Sequence, residues 1–85
     1  MKLKALFDEA VINSKTLPEK PSNNILLQLY SLYKQSTEGD VNIDAPANPF
    51  DFVAQAKFNA WQELKGKQKE IAMQEYADIV AKLKV

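Results

Sequence analysis

The sequence predicts an all-α fold of four helices packed as a bundle. Four stretches carry apolar residues at helical spacing, and no stretch alternates apolar and polar residues as a half-buried strand would. Apolar residues make up 46% of the 85 positions, with only two glycines and four prolines among the rest. This is the balance of a compact, soluble protein. We therefore expect a single domain over residues 1–85 with one core.

The first predicted helix ends near Ser14. Its apolar residues follow helical spacing and are Leu3, Leu6, Phe7, Ala10 and Val11. Pro18 and Pro21 come next and disfavour helix at the residues before them, which predicts a connecting loop over residues 15–21. Ser22 is then the predicted N-cap of the second helix, because a serine hydroxyl can accept from the free amides of a first turn.

The second predicted helix begins at Asn23, continues to about Thr37 and stops at Gly39, a residue type that favours helix C-termini. It carries a broad apolar stripe, made of Ile25, Leu26, Leu29, Tyr30, Leu32 and Tyr33. Residues 38–51 follow it with four carboxylates and no lysine. Because this connection is long for a helix hairpin, helices two and three need not be adjacent antiparallel neighbours.

The third predicted helix begins with Asn48 as its N-cap and Pro49 in its first turn, and it ends at Gly66. Its side chains form two neighbouring rows, Phe52, Ala56 and Ala60 in one and Lys57, Trp61 and Leu64 in the other. We expect Trp61 and Leu64 to lie in the core, because an indole in an apolar helical row supplies packing area.

The fourth predicted helix closes the chain. Its apolar residues in register are Ala72, Tyr76, Ile79, Val80 and Leu83. Glu70 and Glu75 come early in this segment and Lys82 and Lys84 come late, which is the arrangement that the helix dipole prefers.

Charge and composition exclude several classes of function. Eleven acidic residues balance eleven basic ones, all of them lysines, so no overall field draws the chain to nucleic acid. Cysteine and histidine are absent, and we expect neither a metal nor a cofactor. The N-terminal stretch reaches Asp8 and Glu9 before an apolar core of a signal peptide could form, and no later apolar run has the length of a membrane span. We expect a cytoplasmic protein without stable membrane insertion.

Two phenols and an ammonium group share one side of the second helix. At about 100° per residue, Tyr30, Tyr33 and Lys34 lie within one arc, beside Leu26 and Leu29. In one interpretation they form the edge of the core, with rings buried and polar tips in water. In the other they form a pocket for a phosphate and an aromatic base. The spacing alone leaves both interpretations open.

The run PSNNILLQLYSLYKQSTEG, from Pro21 to Gly39, resembles the acyl-CoA-binding protein family in its Tyr-small-x-Tyr-Lys-Gln-small-Thr-x-Gly segment. The resemblance continues in DVNIDAP and in AKFNAWQELKGKQKEIAMQEY, residues 56–76, and covers Phe7 to Leu83. It implies an up-down-down-up bundle of four helices with a shallow bowl for a long-chain acyl-CoA ester, one ester per monomer.

The resemblance also implies nine ligand-binding residues, which are Lys15, Leu26, Leu27, Leu29, Tyr30, Tyr33, Lys34, Lys57 and Tyr76. By this likeness Tyr33 stacks on adenine, and Lys15 contributes to the environment of the nucleotide phosphates. Tyr30, Lys34 and Lys57 together hold the ribose 3′-phosphate. The three leucines line part of the acyl groove, and the tyrosine of the fourth helix forms a wall of the pocket.

The sequence departs from the family pattern in several places. Phe58 stands where the family usually has tryptophan, and Gln68 stands where a hydroxyl N-cap is common. The segment from Pro46 to Phe52 is one residue longer than usual. We expect the change at residue 68 to weaken the start of the fourth helix by about 1 kcal/mol.

The resemblance predicts a non-catalytic carrier that binds medium- to long-chain acyl-CoA and forms an intracellular pool of it. An enzyme such as a thioesterase is a second class, but the chain lacks the usual histidine base and the cysteine nucleophile. A third class is an interaction module whose apolar groove takes a partner helix, which the broad stripe of the second helix would also suit. Dependence on the 3′-phosphate distinguishes the first class from the third.

Overall fold

The computed structural model describes residues 2–84, which form four α-helices and no β-strand. In chain order the helices are α1 (Lys2–Ser14), α2 (Asn23–Glu38), α3 (Phe52–Gln62) and α4 (Lys69–Leu83). The predicted all-α class is confirmed.

The two ends of α2 form as their residue types dictate. Ser22 has extended backbone angles, and its Oγ accepts from the Ile25 amide at 3.3 Å. At the other end Gly39 takes φ +82°, which side chains disfavour, and its amide donates to the Gln35 carbonyl at 3.1 Å. The predicted N-cap and the predicted stop are both confirmed.

The prediction that Asn48 caps the third helix is wrong. The Asn48 Oδ1 accepts from the Phe50 amide at 2.9 Å, and the Asn48 carbonyl accepts from the Asp51 amide at 3.2 Å, so Pro49 lies in a turn before the helix. Asp51 is the actual N-cap, since its Oδ1 accepts from the Ala54 amide at 3.1 Å. An aspartate three residues later therefore does what the asparagine was expected to do.

The predicted end of this helix at Gly66 is also wrong. The α-helix stops at Gln62, and the chain tightens into turns in which the Leu64 amide donates to Trp61 and the Lys65 amide donates to Gln62. Gly66 ends these turns with φ +92°. The apolar pattern extends past the helix because residues in the turn still face the core, as Leu64 does.

The helices form a thin slab of 37 × 29 × 15 Å in which α1 packs on α4, α4 on α2, and α2 on α3. The buried cluster at its centre comes from α1, α2 and α4 and comprises Phe7, Ala10, Leu29, Leu32, Ala72, Tyr76 and Val80. No residue of α3 belongs to this cluster. The third helix therefore lies beside this cluster, and Trp61 is its one buried residue.

Helices α2 and α3 run side by side in the same direction. The Lys57 ammonium lies 5.2 Å from the centre of the Tyr30 ring, and one turn further along both helices the Lys34 ammonium lies 5.6 Å from the Trp61 ring. Two parallel neighbours need a connection that returns along the length of a helix, about 24 Å for α2. This requirement explains the long acidic segment between them.

Trp61 anchors α3 to the rest of the fold. Its ring is only 1% exposed, as predicted for a core residue, and its Nε1 donates to the Gly39 carbonyl at 2.9 Å. Beside it, the buried Gln35 amide donates to Asp40 Oδ1 at 2.9 Å, and the Gly66 amide donates to the same oxygen at 2.8 Å. These bonds join the end of α2 to the turn before α4.

Candidate functional site

A cavity of about 480 Å³ opens between α1, the loop after it, α2 and α4. We call it the central cavity, and its lining residues are Val11, Ser14, Lys15, Leu17, Pro21, Leu26, Leu29, Tyr30, Tyr33 and Tyr76. Its volume lies within the range of about 300–1,000 Å³ that is usual for small-molecule sites. Six of the nine predicted ligand-binding residues line it.

Three aromatic rings from three helices meet at this cavity. Tyr33 lies 6.0 Å from Phe7 with the two rings nearly parallel, and Tyr76 meets Phe7 edge-on at 5.2 Å. The Tyr33 side chain remains 41% exposed, whereas Phe7 is buried. The packed phenylalanine therefore holds a tyrosine ring in place while leaving part of it accessible to a flat ligand.

The Tyr76 hydroxyl is used to tie α4 to α1. It donates to Ser14 Oγ at 3.2 Å, and the Ser14 hydroxyl donates in turn to the Val11 carbonyl at 2.7 Å. Because Tyr76 is only 5% exposed, it contributes a fixed apolar wall to the central cavity.

A second cavity of about 370 Å³ lies between α2 and α3 and is called the α2–α3 cavity. Its lining residues are Asn23, Leu26, Leu27, Phe52, Val53, Ala56 and Lys57. Leu26 lines both cavities, so the two are neighbours along the same face of α2. Together the two cavities account for eight of the nine predicted residues.

The sequence-based prediction missed Phe52 and Val53. They line the α2–α3 cavity yet stay 73% and 65% exposed. Their spacing relative to Ala56 and Lys57 puts all four on one side of α3. That shared side was the available signal, because Lys57 was already predicted to bind the ligand.

Lys34 is the predicted site residue that lines neither cavity. Its ammonium lies 3.0 Å from Glu38 Oε2, one turn along α2, and over the Trp61 ring. The hydrogen bond that Lys34 donates to Glu38 raises the pKa of Lys34, and the Glu38 charge adds to this, so the side chain is an ammonium ion. The nearby tyrosines place it beside the central cavity.

Each of the two cavities has a lysine side chain in its lining. Lys15 lines the central cavity, and Lys57 lines the α2–α3 cavity with its ammonium over the Tyr30 ring. Within residues 2–84, neither Lys15 nor Lys57 forms an ion pair. Apolar cavities flanked by such ammonium groups can hold a ligand that has an apolar part and an anionic part.

A third cavity, about 380 Å³ in volume, lies between α1 and α4 and contains none of the nine predicted residues. It has apolar walls from residues such as Leu6, Ala10 and Val80, with Glu9 and Lys84 among its polar lining residues. The predicted ligand-binding residues therefore lie in or beside the other two cavities. In the described part of the chain, no helix is both long and apolar enough to cross a membrane.

Comparison with known proteins gives concordant matches. A family model described as acyl CoA binding protein matches residues 4–80. The chain is 47% identical over 77 residues to an acyl-CoA-binding protein of Dictyostelium discoideum, covering 91% of this chain and 90% of that protein. It is 44% identical over 77 residues to enoyl-CoA delta isomerase 2 of Rattus norvegicus, covering 91% of this chain but only 19% of the isomerase. The crystal structure of Oryza sativa acyl-CoA-binding protein 2 matches with a TM-score of 0.88 and 41% identity, over 95% of this chain and 89% of that one.

Proposed function

The chain belongs to the acyl-CoA-binding protein family and binds fatty acyl-CoA esters as a carrier, and we propose that the ester occupies the central and α2–α3 cavities together. The observation that carries this proposal is the position of Leu26, which lines both cavities. A ligand with two chemically different halves can then lie along one face of α2.

The acyl chain lies against the apolar side chains shared by α2 and α3. Leu26 and Leu27 face Phe52 and Val53 across the α2–α3 cavity, so the chain would cover side chains that are otherwise exposed to water. Burial of a chain of about fifteen methylenes, at about 0.8 kcal/mol each, gives a gross gain of about 10 kcal/mol. The acyl chain should therefore supply most of the affinity.

The nucleotide half of the ester lies beside the tyrosines and lysines. The exposed part of the Tyr33 ring offers a stacking face to adenine, and Lys15 stands at the same cavity for the phosphates. Lys57 and Tyr30 already contact each other, and Lys34 lies one turn further along α2. These three residues hold the 3′-phosphate in our proposal, and point charges suffice for it without arginine.

Specificity comes from the charged half. A free fatty acid would bury the same apolar surface but would leave the lysine ammonium groups without their phosphate partners. We propose that one ester binds per monomer, without a cofactor and without turnover, in the cytoplasm. The isomerase match does not conflict with a binding role, since this chain corresponds to only 19% of that enzyme.

Calorimetric titration with palmitoyl-CoA, palmitate and CoA tests the proposal. We expect one-to-one binding of palmitoyl-CoA that is at least tenfold tighter than binding of either half. Equal affinity for palmitate would show a general lipid groove and contradict a nucleotide site. Absence of binding would contradict the carrier function and favour the partner-helix alternative. Palmitoyl-CoA recovered intact after hours with the protein would exclude a thioesterase.

A further inference from the structure

Glu38 holds the Lys34 ammonium at the place where a ligand phosphate is expected. Its Oε2 lies 3.0 Å from Lys34 Nζ, and its Oε1 accepts from the Asn42 side-chain amide at 3.3 Å. Both carboxylate oxygens are thus engaged, one by α2 and the other by the connection after it. Part of the charge of the lysine is therefore already neutralised by Glu38 before a ligand arrives.

The helix dipole does not favour an acid at this position. Glu38 is the last residue of α2, where the negative end of the helix dipole disfavours a carboxylate. Hydrogen bonds from Lys34 and then from Asn42 lower the pKa of Glu38, which is therefore anionic at neutral pH. The carboxylate remains 42% exposed and the lysine 33% exposed, so the pair lies at the surface where a ligand can reach it.

Resting on the proposed function, we propose that Glu38 is an internal competitor for the 3′-phosphate and sets how strongly Lys34 binds it. In the free protein Glu38 neutralises Lys34. A dianionic phosphate displaces it, after which Asn42 retains the released carboxylate. A ligand without the 3′-phosphate leaves the Lys34–Glu38 pair intact and is insensitive to Glu38.

The size of the effect follows from the exposure of the pair. Ion pairs at the protein surface are weak, so removal of the competing carboxylate should tighten phosphate binding by about 1.4- to fivefold. Glu38→Gln keeps the shape of the side chain and removes its charge. It also removes the unfavourable interaction with the helix dipole, so we expect the helix to remain folded.

The test compares palmitoyl-CoA with its 3′-dephospho form, using dissociation constants of the wild type and of Glu38→Gln. We expect the variant to bind palmitoyl-CoA about 1.4- to fivefold more tightly and to bind the dephospho ester as the wild type does. Asp8→Asn is the matched control, because Lys4 and Asp8 form an exposed pair with the same one-turn spacing on α1, at 2.7 Å. It changes the net charge by the same amount and should alter neither affinity.

Other outcomes separate the inference from the function on which it rests. Failure of the wild type to bind palmitoyl-CoA overturns the proposed function, and the inference with it. If the wild type binds palmitoyl-CoA but Glu38→Gln gives no gain, the carrier remains and the competitor is overturned. An equal gain for both esters, or an equal gain in Asp8→Asn, also overturns it, because either shows a general charge effect. Glu38→Ala removes the hydrogen-bond acceptor as well and should give at least the gain of Glu38→Gln.

Discussion

Lys34 and Lys57 are both lysines of the predicted phosphate site, yet their surroundings differ. Lys34 is paired with Glu38, whereas Lys57 has no carboxylate partner within residues 2–84 and rests over the Tyr30 ring. A phosphate that approaches Lys34 must replace an existing ion pair, and one that approaches Lys57 need not. The net contribution to binding should therefore be larger for Lys57.

Substitution of each lysine measures this difference. Lys57→Ala should weaken palmitoyl-CoA binding by at least tenfold, since a hydrogen bond to a charged group contributes about 1.5–3 kcal/mol. Lys34→Ala should weaken palmitoyl-CoA binding less, because Glu38 already neutralises part of the charge of the wild-type lysine. Calorimetry with helicity monitored by circular dichroism gives both values, and Lys2→Ala serves as a control. Unchanged affinity in both variants with an intact fold would contradict the predicted phosphate site.

At the level of the helix, the sequence predicted an N-terminus correctly where it offered one candidate cap residue, and incorrectly where it offered two. Ser22 follows Pro21 and is the hydroxyl residue immediately before the apolar stripe of α2, so its cap was predictable. Before α3, Asn48 and Asp51 are both favourable N-caps, and Pro49 fits either a first helical turn or a turn before the helix. Only the folded backbone shows that Asn48 bonds the Phe50 amide.

The start of α4 offers a stabilising change. Gln68 has the extended backbone of an N-cap but makes no side-chain cap bond. Gln68→Ser should supply this bond and raise the free energy of unfolding by about 1 kcal/mol. Ser22→Ala is the reciprocal change at α2 and should lower it by a similar amount, because the bond to the Ile25 amide is lost.

Urea denaturation of the two variants and the wild type checks both values. No gain in Gln68→Ser would show that water already satisfies the first amides of α4. If Ser22→Ala also left the free energy of unfolding unchanged, side-chain capping would not contribute to the stability of this fold.

At the scale of the whole molecule, the sequence predicted four helices but not their arrangement in space. The parallel direction of α2 and α3 follows from two contacts, Lys57 with Tyr30 and Trp61 with Lys34. In each contact the two residues lie on opposite sides of the long connection between the helices. Helical spacing fixes which side chains share a face and gives no direction between helices. The family resemblance supplied the arrangement, and with it Lys57 as a partner of Tyr30.

Asp40 joins the connection after α2 to the turn before α4. This contact should make the stability of the fold depend on pH. Hydrogen bonds from the Gly66 amide and then the Gln35 side chain lower the pKa of Asp40 below its ordinary value of 3.8. A carboxyl with a lowered pKa stabilises the fold above that value, and this contribution is lost as pH falls through the folded-state pKa. Asp40→Asn keeps an acceptor without the charge.

Thermal unfolding at pH 6, 4 and 2.5 tests this linkage. We expect the wild type to be more stable than Asp40→Asn at pH 6 and the difference to shrink towards pH 2.5. Asp44→Asn, in the same connection, is the control, because the Asp44 side chain makes no hydrogen bond within the described residues. A difference between wild type and Asp40→Asn that stays constant with pH would mean that the Asp40 charge contributes nothing.

The position of α3 outside the buried cluster makes it the element that should respond most to ligand. Trp61 is its one buried residue, and its residues Phe52 and Val53 are exposed in the free protein. Elements with few buried contacts open at lower free energy than the core does. An acyl chain in the α2–α3 cavity would contact both walls and raise the free energy of this local opening.

Native-state hydrogen exchange with and without palmitoyl-CoA should therefore show the largest gain in protection in α3, with smaller gains in α1 and α4. A ligand present at 100 times its dissociation constant stabilises the bound state by about 2.7 kcal/mol, which slows exchange by about a hundredfold where opening releases the ligand. CoA alone should protect the residues around Tyr33 and protect α3 less than palmitoyl-CoA does, because it reaches α3 only through Lys57 and leaves the α2–α3 cavity without an acyl chain. Equal protection of all four helices would contradict this prediction, because it would show that α3 opens only together with the core.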